Sequence, residues 1–141
     1  RDGEVIFKKY SPMGELTSFA AQLCETLNKT TGYPVAISER DTLVSVSGPP
    51  KRELMDKRIT EQVEHICEGR QIYQYKTGEQ QIMAADGVDR YFATLIAPII
   101  SEGDISGCVM FLAIDGMPLP GETEYKLAQT IAGFLSRQME S

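Results

Sequence analysis

The segment Arg90–Gly116, RYFATLIAPIISEGDISGCVMFLAIDG, decides the fold of this chain. Two long apolar stretches, Tyr91–Ile100 and Gly107–Ile114, flank the polar loop Ser101–Asp104, which contains a glycine. Apolar stretches joined by a short loop of this kind are typical of a β-hairpin. Because both stretches are apolar at nearly every position, we expect other elements to cover both faces of the hairpin. The hairpin should therefore lie at the centre of a sheet packed between helical layers.

Length and composition describe a soluble domain. The 141 residues are enough for one domain with a true core, and 42% of them are hydrophobic. No apolar stretch approaches the ~20 residues that a membrane helix needs. The net charge of −6 argues against nucleic-acid binding by this chain itself, because backbone binding requires clustered Lys and Arg. Cys24, Cys67 and Cys108 are widely spaced without a CxxC motif, which indicates reduced thiols in a cytosolic protein.

The first ten residues, RDGEVIFKKY, differ in character from the rest of the chain. Asp2-Gly3 is a turn signal, and the short strand Val5–Phe7 comes directly after it. The first arm of such a hairpin is missing, and the chain starts with Arg1 instead of Met. We interpret residues 1–10 as the tail of a preceding domain or a linker, and residues 11–141 as one domain.

Two long helices bracket that domain. The first is predicted over Ser11–Lys29, with Ser11 as its cap and Pro12 at its first position, and Gly32 and Pro34 should end it. The last helix, from about Glu122 to Met139, repeats its apolar residues like a heptad seam.

Short strands and helices are predicted between the two long helices. We expect Ile72–Tyr75 and Gln81–Ala84 to pair with each other as a hairpin. Because every link between strands except the helical crossover is short, strand neighbours should be antiparallel. The sequence therefore predicts an α/β sandwich, with a mainly antiparallel sheet of about six strands and helices on both faces. The remaining predicted elements are the strands Pro34–Ser38 and Thr42–Ser47, a helical turn at Lys51–Asp56 and a helix at Glu61–Glu68 capped by Thr60.

The hairpin sequence APIISEGDISGCVMF at Ala97–Phe111, within this order of elements, resembles the GAF domain, a small-molecule sensing fold related to PAS. RDGEVIFKKYSPMGEL at Arg1–Leu16 is similar to the junction that follows an AbrB-type DNA-binding domain. AGFLSRQME at Ala132–Glu140 is similar to the C-terminal end of the stage V sporulation protein T family. The resemblance covers nearly the whole chain. It implies a GAF-like sensor domain of a cytoplasmic regulator of sporulation genes, whose DNA-contacting residues all lie upstream of Arg1.

The resemblance also implies a ligand position. In the GAF fold a ligand lies on the sheet face away from the terminal helices, beneath the crossover. The bulky residues at those positions would fill the space as readily as line it, so a filled and an open pocket both remain possible. The residues expected at this ligand position are chosen by their place in the fold and not by a ligand-binding motif: Ser45, Ser47, Leu54, Met55, Ile59, Ile66 and Tyr73.

The broad apolar surface of the last helix belongs either to the core of one chain alone or to that core together with a partner helix, which is the favoured interpretation. The last helix is apolar around more than half its circumference, which is broad for a helix with one solvated side. We expect the two terminal helices to lie side by side and to form a bundle with the same helices of a second chain. The resemblance extends this dimer to a tetramer in the full-length protein. The outward residues assigned to the interface are Phe19, Leu23, Leu127, Ile131 and Phe134.

No catalytic or metal-binding set emerges from the sequence. His65 is the single histidine, and a lone histidine without a second ligand is a poor metal site. Cys24 and Cys108 are expected in the core, where cysteines are usually inert. We therefore predict a regulatory domain that needs no cofactor, binds an unknown small molecule and modulates DNA binding by a tethered N-terminal domain. A purely structural oligomerisation module without a ligand is the alternative, and a small redox enzyme is the least favoured hypothesis.

The charge of the chain generates a first prediction. With a net charge of −6, the 141-residue chain should not bind duplex DNA appreciably at physiological salt. A gel-shift titration at two salt concentrations measures this. A shifted band that weakens as salt is raised would show that the chain contacts the phosphate backbone and would contradict the prediction.

Overall fold

A computed structural model describes residues 17–140, with side chains from Phe19 onward. The turn at Asp2-Gly3, the strand Val5–Phe7, the helix start at Ser11-Pro12 and the boundary between residues 1–10 and the domain lie outside the described residues. In chain order the elements are α1 (Thr17–Thr31), β1 (Val35–Glu39), β2 (Thr42–Ser47), α2 (Lys51–Leu54), α3 (Glu61–Glu68), β3 (Tyr73–Gln74), β4 (Met83–Ala85), β5 (Val88–Ser101), β6 (Asp104–Ala113) and α4 (Glu122–Glu140).

The six strands form one antiparallel sheet in the order β2-β1-β6-β5-β3, with β4 also paired to β5. The predicted central hairpin is confirmed as β5 and β6, and its strands extend to Val88 and Asp104. Ser101 pairs with Asp104 across a two-residue loop. In that loop Glu102 has φ 53° and Gly103 has φ 85°, the left-handed pair that a tight hairpin turn requires.

The predicted hairpin between Ile72–Tyr75 and Gln81–Ala84 is wrong. Both segments pair with β5 instead of with each other: Tyr73 lies opposite Ile96, and Met83 lies opposite Phe92. The physical reason is the length of β5, whose 14 residues offer one edge long enough for both short strands in succession. Between them the ladder continues, since Tyr75 N donates to Thr94 O at 2.8 Å and Ala93 N donates to Ile82 O at 2.8 Å.

Helices cover both faces of the sheet, as the sequence predicts. On the first face, here called the terminal-helix face, α1 and α4 bury Val35, Ile37 and Phe111. On the opposite face, here called the crossover face, α2 and α3 bury Ala36, Ile96 and Met110. Neighbouring residues of a strand point to opposite faces, so each strand contributes to both cores. The expectation that the first and last helices share one face is confirmed.

Local signals set the ends of these elements. Thr60 caps α3, because its side-chain oxygen accepts a hydrogen bond from Val63 N. The same hydroxyl donates to Met83 O at 2.8 Å and so attaches the start of α3 to β4. Gly32, with φ 82°, follows the last residue of α1, where a left-handed residue commonly ends a helix. A Cβ on Gly107 would overlap Ser38 O, so β6 approaches β1 this closely because residue 107 is a glycine.

All three cysteines are buried and unbridged. Cys24 packs in the terminal-helix core, where burial, together with the nearby Glu25 carboxylate, raises the pKa of its thiol to about 12. Cys67 and Cys108 meet in the core of the crossover face. Contact with the Cys108 thiol, reinforced by burial, raises the pKa of the Cys67 thiol. Cys108 N donates to Ser38 Oγ at 3.0 Å, which ties that strand position to β1. The expectation that Cys24 and Cys108 are core residues is confirmed.

These thiols generate a second prediction. Because the thiolate is the reactive form, raised pKa values predict slow alkylation of native Cys24 and Cys67 at pH 7, with rates that rise as the pH is raised toward 9. Cys24 and Cys108 should label more slowly than Cys67, which is next to the last residue of α3 and becomes accessible when that helix end frays. Peptide mass spectrometry after timed alkylation, with a urea-unfolded sample as the control, measures the three rates. Rapid labelling of Cys108 before unfolding would contradict its place in the central strand.

Candidate functional site

A cleft of about 320 Å³ opens on the crossover face, at the margin of the sheet. Four parts of the chain form it: the helix α3, the segment just before that helix, the turn between β1 and β2, and the start of β6. Both charged and apolar side chains line the cleft. The lining residues are Arg40, Asp41, Ile59, Glu64, Cys67, Glu68 and Ile105.

The turn between β1 and β2 brings two of these charges to the cleft. Glu39 pairs with Thr42, so Arg40 and Asp41 alone form the connection. Arg40 adopts φ 55°, and its backbone N donates to Ser106 O at 2.7 Å. This hydrogen bond fixes the turn against the start of β6. The turn therefore holds the two side chains beside Ile105.

Arg58 joins the elements around the cleft. Its guanidinium lies 3.0 Å from Glu64 on α3, 3.5 Å from Asp41 in the β1–β2 turn and 3.8 Å from Asp86 in the β4–β5 turn. Each of these ion pairs is partly exposed, so each contributes little to stability on its own. Together they hold α3 against two turns, while the single positive charge of Arg58, shared among three carboxylates, leaves this group with a net negative charge.

Two charged side chains of the cleft remain available for a ligand. Among the described residues Arg40 has no carboxylate within 4 Å, since the ion pairs in that part of the chain involve Arg58, His65 and Lys126. Glu68 lies 3.9 Å from the ring of His65, which is a pairing only when the histidine is protonated. The cleft thus presents a guanidinium and a carboxylate beside an apolar surface, which suits a small molecule with both polar and apolar parts.

The predicted ligand residues do not form one site. Leu54, Met55, Ile59, Ile66 and Tyr73 belong to the crossover face, as expected. Ser45 and Ser47 pair with Ile37 and Val35, whose side chains lie on the terminal-helix face, and paired residues share a face. The prediction that Ser45 and Ser47 face the crossover is therefore wrong.

A β-bulge explains that error. Ser38 pairs with Leu43 while Ile37 pairs with Ser45, so Val44 is an extra residue in β2. Without it Ser45 would pair with Ala36, whose side chain lies on the crossover face. One extra residue moves every following side chain to the other face of the sheet.

Bulky side chains fill the centre of the crossover face. Leu54 and Ile59 are 0% and 2% exposed and pack against the sheet, which favours the filled pocket at that place. Of the predicted ligand residues, Ile59 alone lines the cleft described above. Sequence reasoning missed Arg40, Glu64 and Glu68, although the charged turn Arg40-Asp41 between two strands was a usable signal. Ser45 and Met55 instead line a smaller pocket at the edge of β2.

The predicted interface residues share one surface, here called the aromatic patch: Phe19 and Leu23 of α1 with Leu127, Ile131 and Phe134 of α4. The two phenylalanines are 46% and 39% exposed, and their rings meet edge to face with centroids 6.3 Å apart. The three aliphatic residues are half-buried against the terminal-helix core. The aromatic contact shows that α1 and α4 are neighbours at this surface.

The remaining candidates carry no chemistry in the structure. The side chain of His65 is 88% exposed, as expected for a solvated histidine. Within residues 17–140, no three His, Cys, Asp or Glu side chains are grouped so that they could hold a metal ion. No helix in that part of the chain has the length and apolar character needed to cross a membrane.

Comparisons with known proteins address both the family and the fold. Residues 15–140 match the model of a family described as stage V sporulation protein T C-terminal, transcription factor. The chain is 37% identical over 141 residues to stage V sporulation protein T of Bacillus subtilis (strain 168), a match that covers 99% of this chain and 78% of that protein.

Solved structures of similar fold include several GAF domains. The GAF domain of an Acinetobacter phosphoenolpyruvate-protein phosphotransferase superposes with a TM-score of 0.69 at 13% identity, covering 88% of this chain and 81% of that one. The GAF domain of the nutrient sensor CodY from Clostridium difficile gives a TM-score of 0.59 at 10% identity, covering 94% and 96%. At such low identity these likenesses establish the fold alone. The matched family model and the extensive identity to its member show that the chain belongs to the stage V sporulation protein T C-terminal family, a transcription-factor family, and that it has the GAF fold.

Proposed function

We propose that this chain is the sensor domain of a sporulation transcription factor, and that a small molecule bound in the cleft beside α3 modulates DNA binding by a tethered domain. The observation that carries the proposal is the cleft itself, which combines the unpaired Arg40 guanidinium with an apolar lining on the crossover face of a GAF fold. Its volume of about 320 Å³ lies at the lower end of the range for small-molecule sites. The structurally similar CodY domain is described as cofactor binding, which supports the same role here. The proposed site of action is the cytoplasm.

The position of the cleft allows ligand binding there to affect the conformation of the rest of the domain. A ligand that contacts both Arg40 and Glu68 would link the β1–β2 turn to α3. Ile105 stands at the start of β6, and β6 continues through the sheet to Phe111, which packs in the terminal-helix core. A change at the cleft therefore has a short, fully packed path through β6 to the helices on the opposite face.

A second copy of the chain is the proposed partner for the aromatic patch, with a tetramer in the full-length protein. Two exposed phenylalanines in contact are unusual on a monomer surface. Leu23, Leu127 and Ile131 widen this surface, since they are only half-buried against the terminal-helix core.

The sensor proposal predicts a ligand-dependent rise in melting temperature. A fractionated metabolite extract from sporulating cells, added to the 141-residue chain, should contain a fraction that stabilises it, because a ligand at 100 times its Kd adds about 2.7 kcal/mol. Ile105→Phe should abolish that rise by filling the cleft. Differential scanning fluorimetry measures the shift, and native mass spectrometry of the active fraction gives the mass of the ligand.

Ile114→Phe is the matched control for this experiment. Ile114 is half-buried like Ile105 but lies nine positions further along the chain, roughly 30 Å away at the rise of a strand. This variant should keep the ligand-dependent rise. If no fraction of a broad extract stabilises the chain, the purely structural oligomerisation module becomes the better description.

The proposed dimer predicts that Phe134→Glu is folded and monomeric. Phe134 is 39% exposed in one chain, so a carboxylate there remains solvated in the monomer but would be buried in an apolar seam in the dimer. Sedimentation velocity measures the mass, and circular dichroism measures the helix content. Gln129→Glu adds the same charge on α4 about 140° around the helix and should leave the dimer intact. A dimeric, helical Phe134→Glu chain would place the seam elsewhere, and an unfolded one would assign Phe134 to the core.

A further inference from the structure

A second pocket, of about 200 Å³, lies on the outer edge of β2, between α1 and α2. It is separate from the cleft beside α3, because the two have no lining residue in common. The bulge at Val44 shapes it by turning Ser45 toward α1. Its principal lining residues are Ala21, Glu25, Val44, Ser45, Lys51 and Met55.

Ser45, one of the residues that line this pocket, carries an unused hydrogen-bonding group. The residue is 3% exposed, and its Oγ is the single buried side-chain oxygen or nitrogen without a partner among the described residues. The other fully buried hydroxyls are paired, since Thr94 donates to Phe111 O at 2.9 Å and Ser38 accepts from Cys108 N at 3.0 Å. Buried polar groups are normally satisfied, so an unpaired one that lines a pocket indicates an occupant.

Opposite charges stand on the two helical walls. Glu25 belongs to α1 and Lys51 is the first residue of α2, and both are exposed. The described ion pairs do not include either residue. Both line the same pocket of about 200 Å³, which places the two charges near each other. A carboxylate and an ammonium that are near each other yet unpaired can each bind a ligand group of the opposite charge.

We infer that this pocket binds a small zwitterion with a short apolar side chain, the chemistry of an aliphatic α-amino acid. Lys51 would receive the ligand carboxylate, Glu25 would receive its ammonium group, and the Ser45 hydroxyl would hydrogen-bond to one of them. Val44 and Met55 supply apolar contact for the ligand side chain. The pocket is below the ≈ 300 Å³ at which sites for drug-sized ligands begin, so it selects a molecule of amino-acid size.

Titration calorimetry with the 141-residue chain tests this assignment. L-leucine, L-isoleucine and L-valine are the probes, and each analogue that lacks one charge is a matched control: leucinamide without the carboxylate and 4-methylpentanoate without the ammonium group. At least one amino acid should bind saturably. Both analogues should bind at least about tenfold more weakly than leucine, since each loses a charged hydrogen bond. Absence of binding by all three amino acids at millimolar concentration overturns the inference.

Two variants locate the binding. Ser45→Ala should lower the affinity by about threefold to tenfold, while the melting temperature without ligand stays equal or rises, because the variant removes an unpaired buried hydroxyl. Lys51→Gln should lower the affinity by about tenfold, whereas Lys57→Gln, at an exposed lysine outside the pocket, should not. Unchanged affinity in Ser45→Ala and Lys51→Gln overturns the inference. So does binding that Ile105→Phe abolishes, because that result would move the amino acid to the cleft beside α3.

Discussion

The antiparallel ladder between β5 and β6 is the interaction on which the rest of the domain depends. It runs from Phe92 opposite Ala113 to Ser101 opposite Asp104 and provides side chains to both cores. Its free edges receive β1 on the β6 side, and β3 with β4 on the β5 side, while β2 adds to the far edge of β1. Because this hairpin is local in sequence, its closure costs little chain entropy, and the more distant strands can then add to an existing template.

The parts of this fold that the sequence predicted are those that local chemistry determines. Unbroken apolar stretches identified the two central strands, and Thr60 and Gly32 marked helix ends through a cap and a left-handed residue. The failures concern non-local choices. Whether Ile72–Tyr75 pairs with Gln81–Ala84 or with β5 depends on the length of a strand later in the chain. The bulge at Val44 belongs to the pairing of β2 with β1, and no residue pattern within β2 revealed that Ser45 turns toward α1.

The candidate site was harder to predict than the fold for a related reason. An apolar pattern in the sequence predicts which side chains are buried when the chain folds. On the crossover face those buried side chains, such as Leu54, occupy the space that the resemblance assigned to a ligand. Open volume remains where packing ends, at the rim. The rim residues Arg40, Glu64 and Glu68 come from a turn and a helix that are separate in sequence, and Arg58 brings these elements together through its three carboxylate partners. Only the assembled topology shows that they meet.

Both pockets border the β1–β2 unit, and the architecture explains why. The central strands are covered on two faces by interdigitated side chains, where a cavity of ligand size would remove many contacts and would be strongly destabilising. The β1–β2 unit lies at the margin of the sheet, where the terminal helix α1 meets one face and the short helix α2 meets the outer edge. Unfilled volume is tolerated there because it opens to solvent. The two-residue turn then aims Arg40 at the crossover face, while the bulge aims Ser45 at the terminal-helix face. One edge unit can thus present polar groups to both sides of a sheet whose centre must remain apolar.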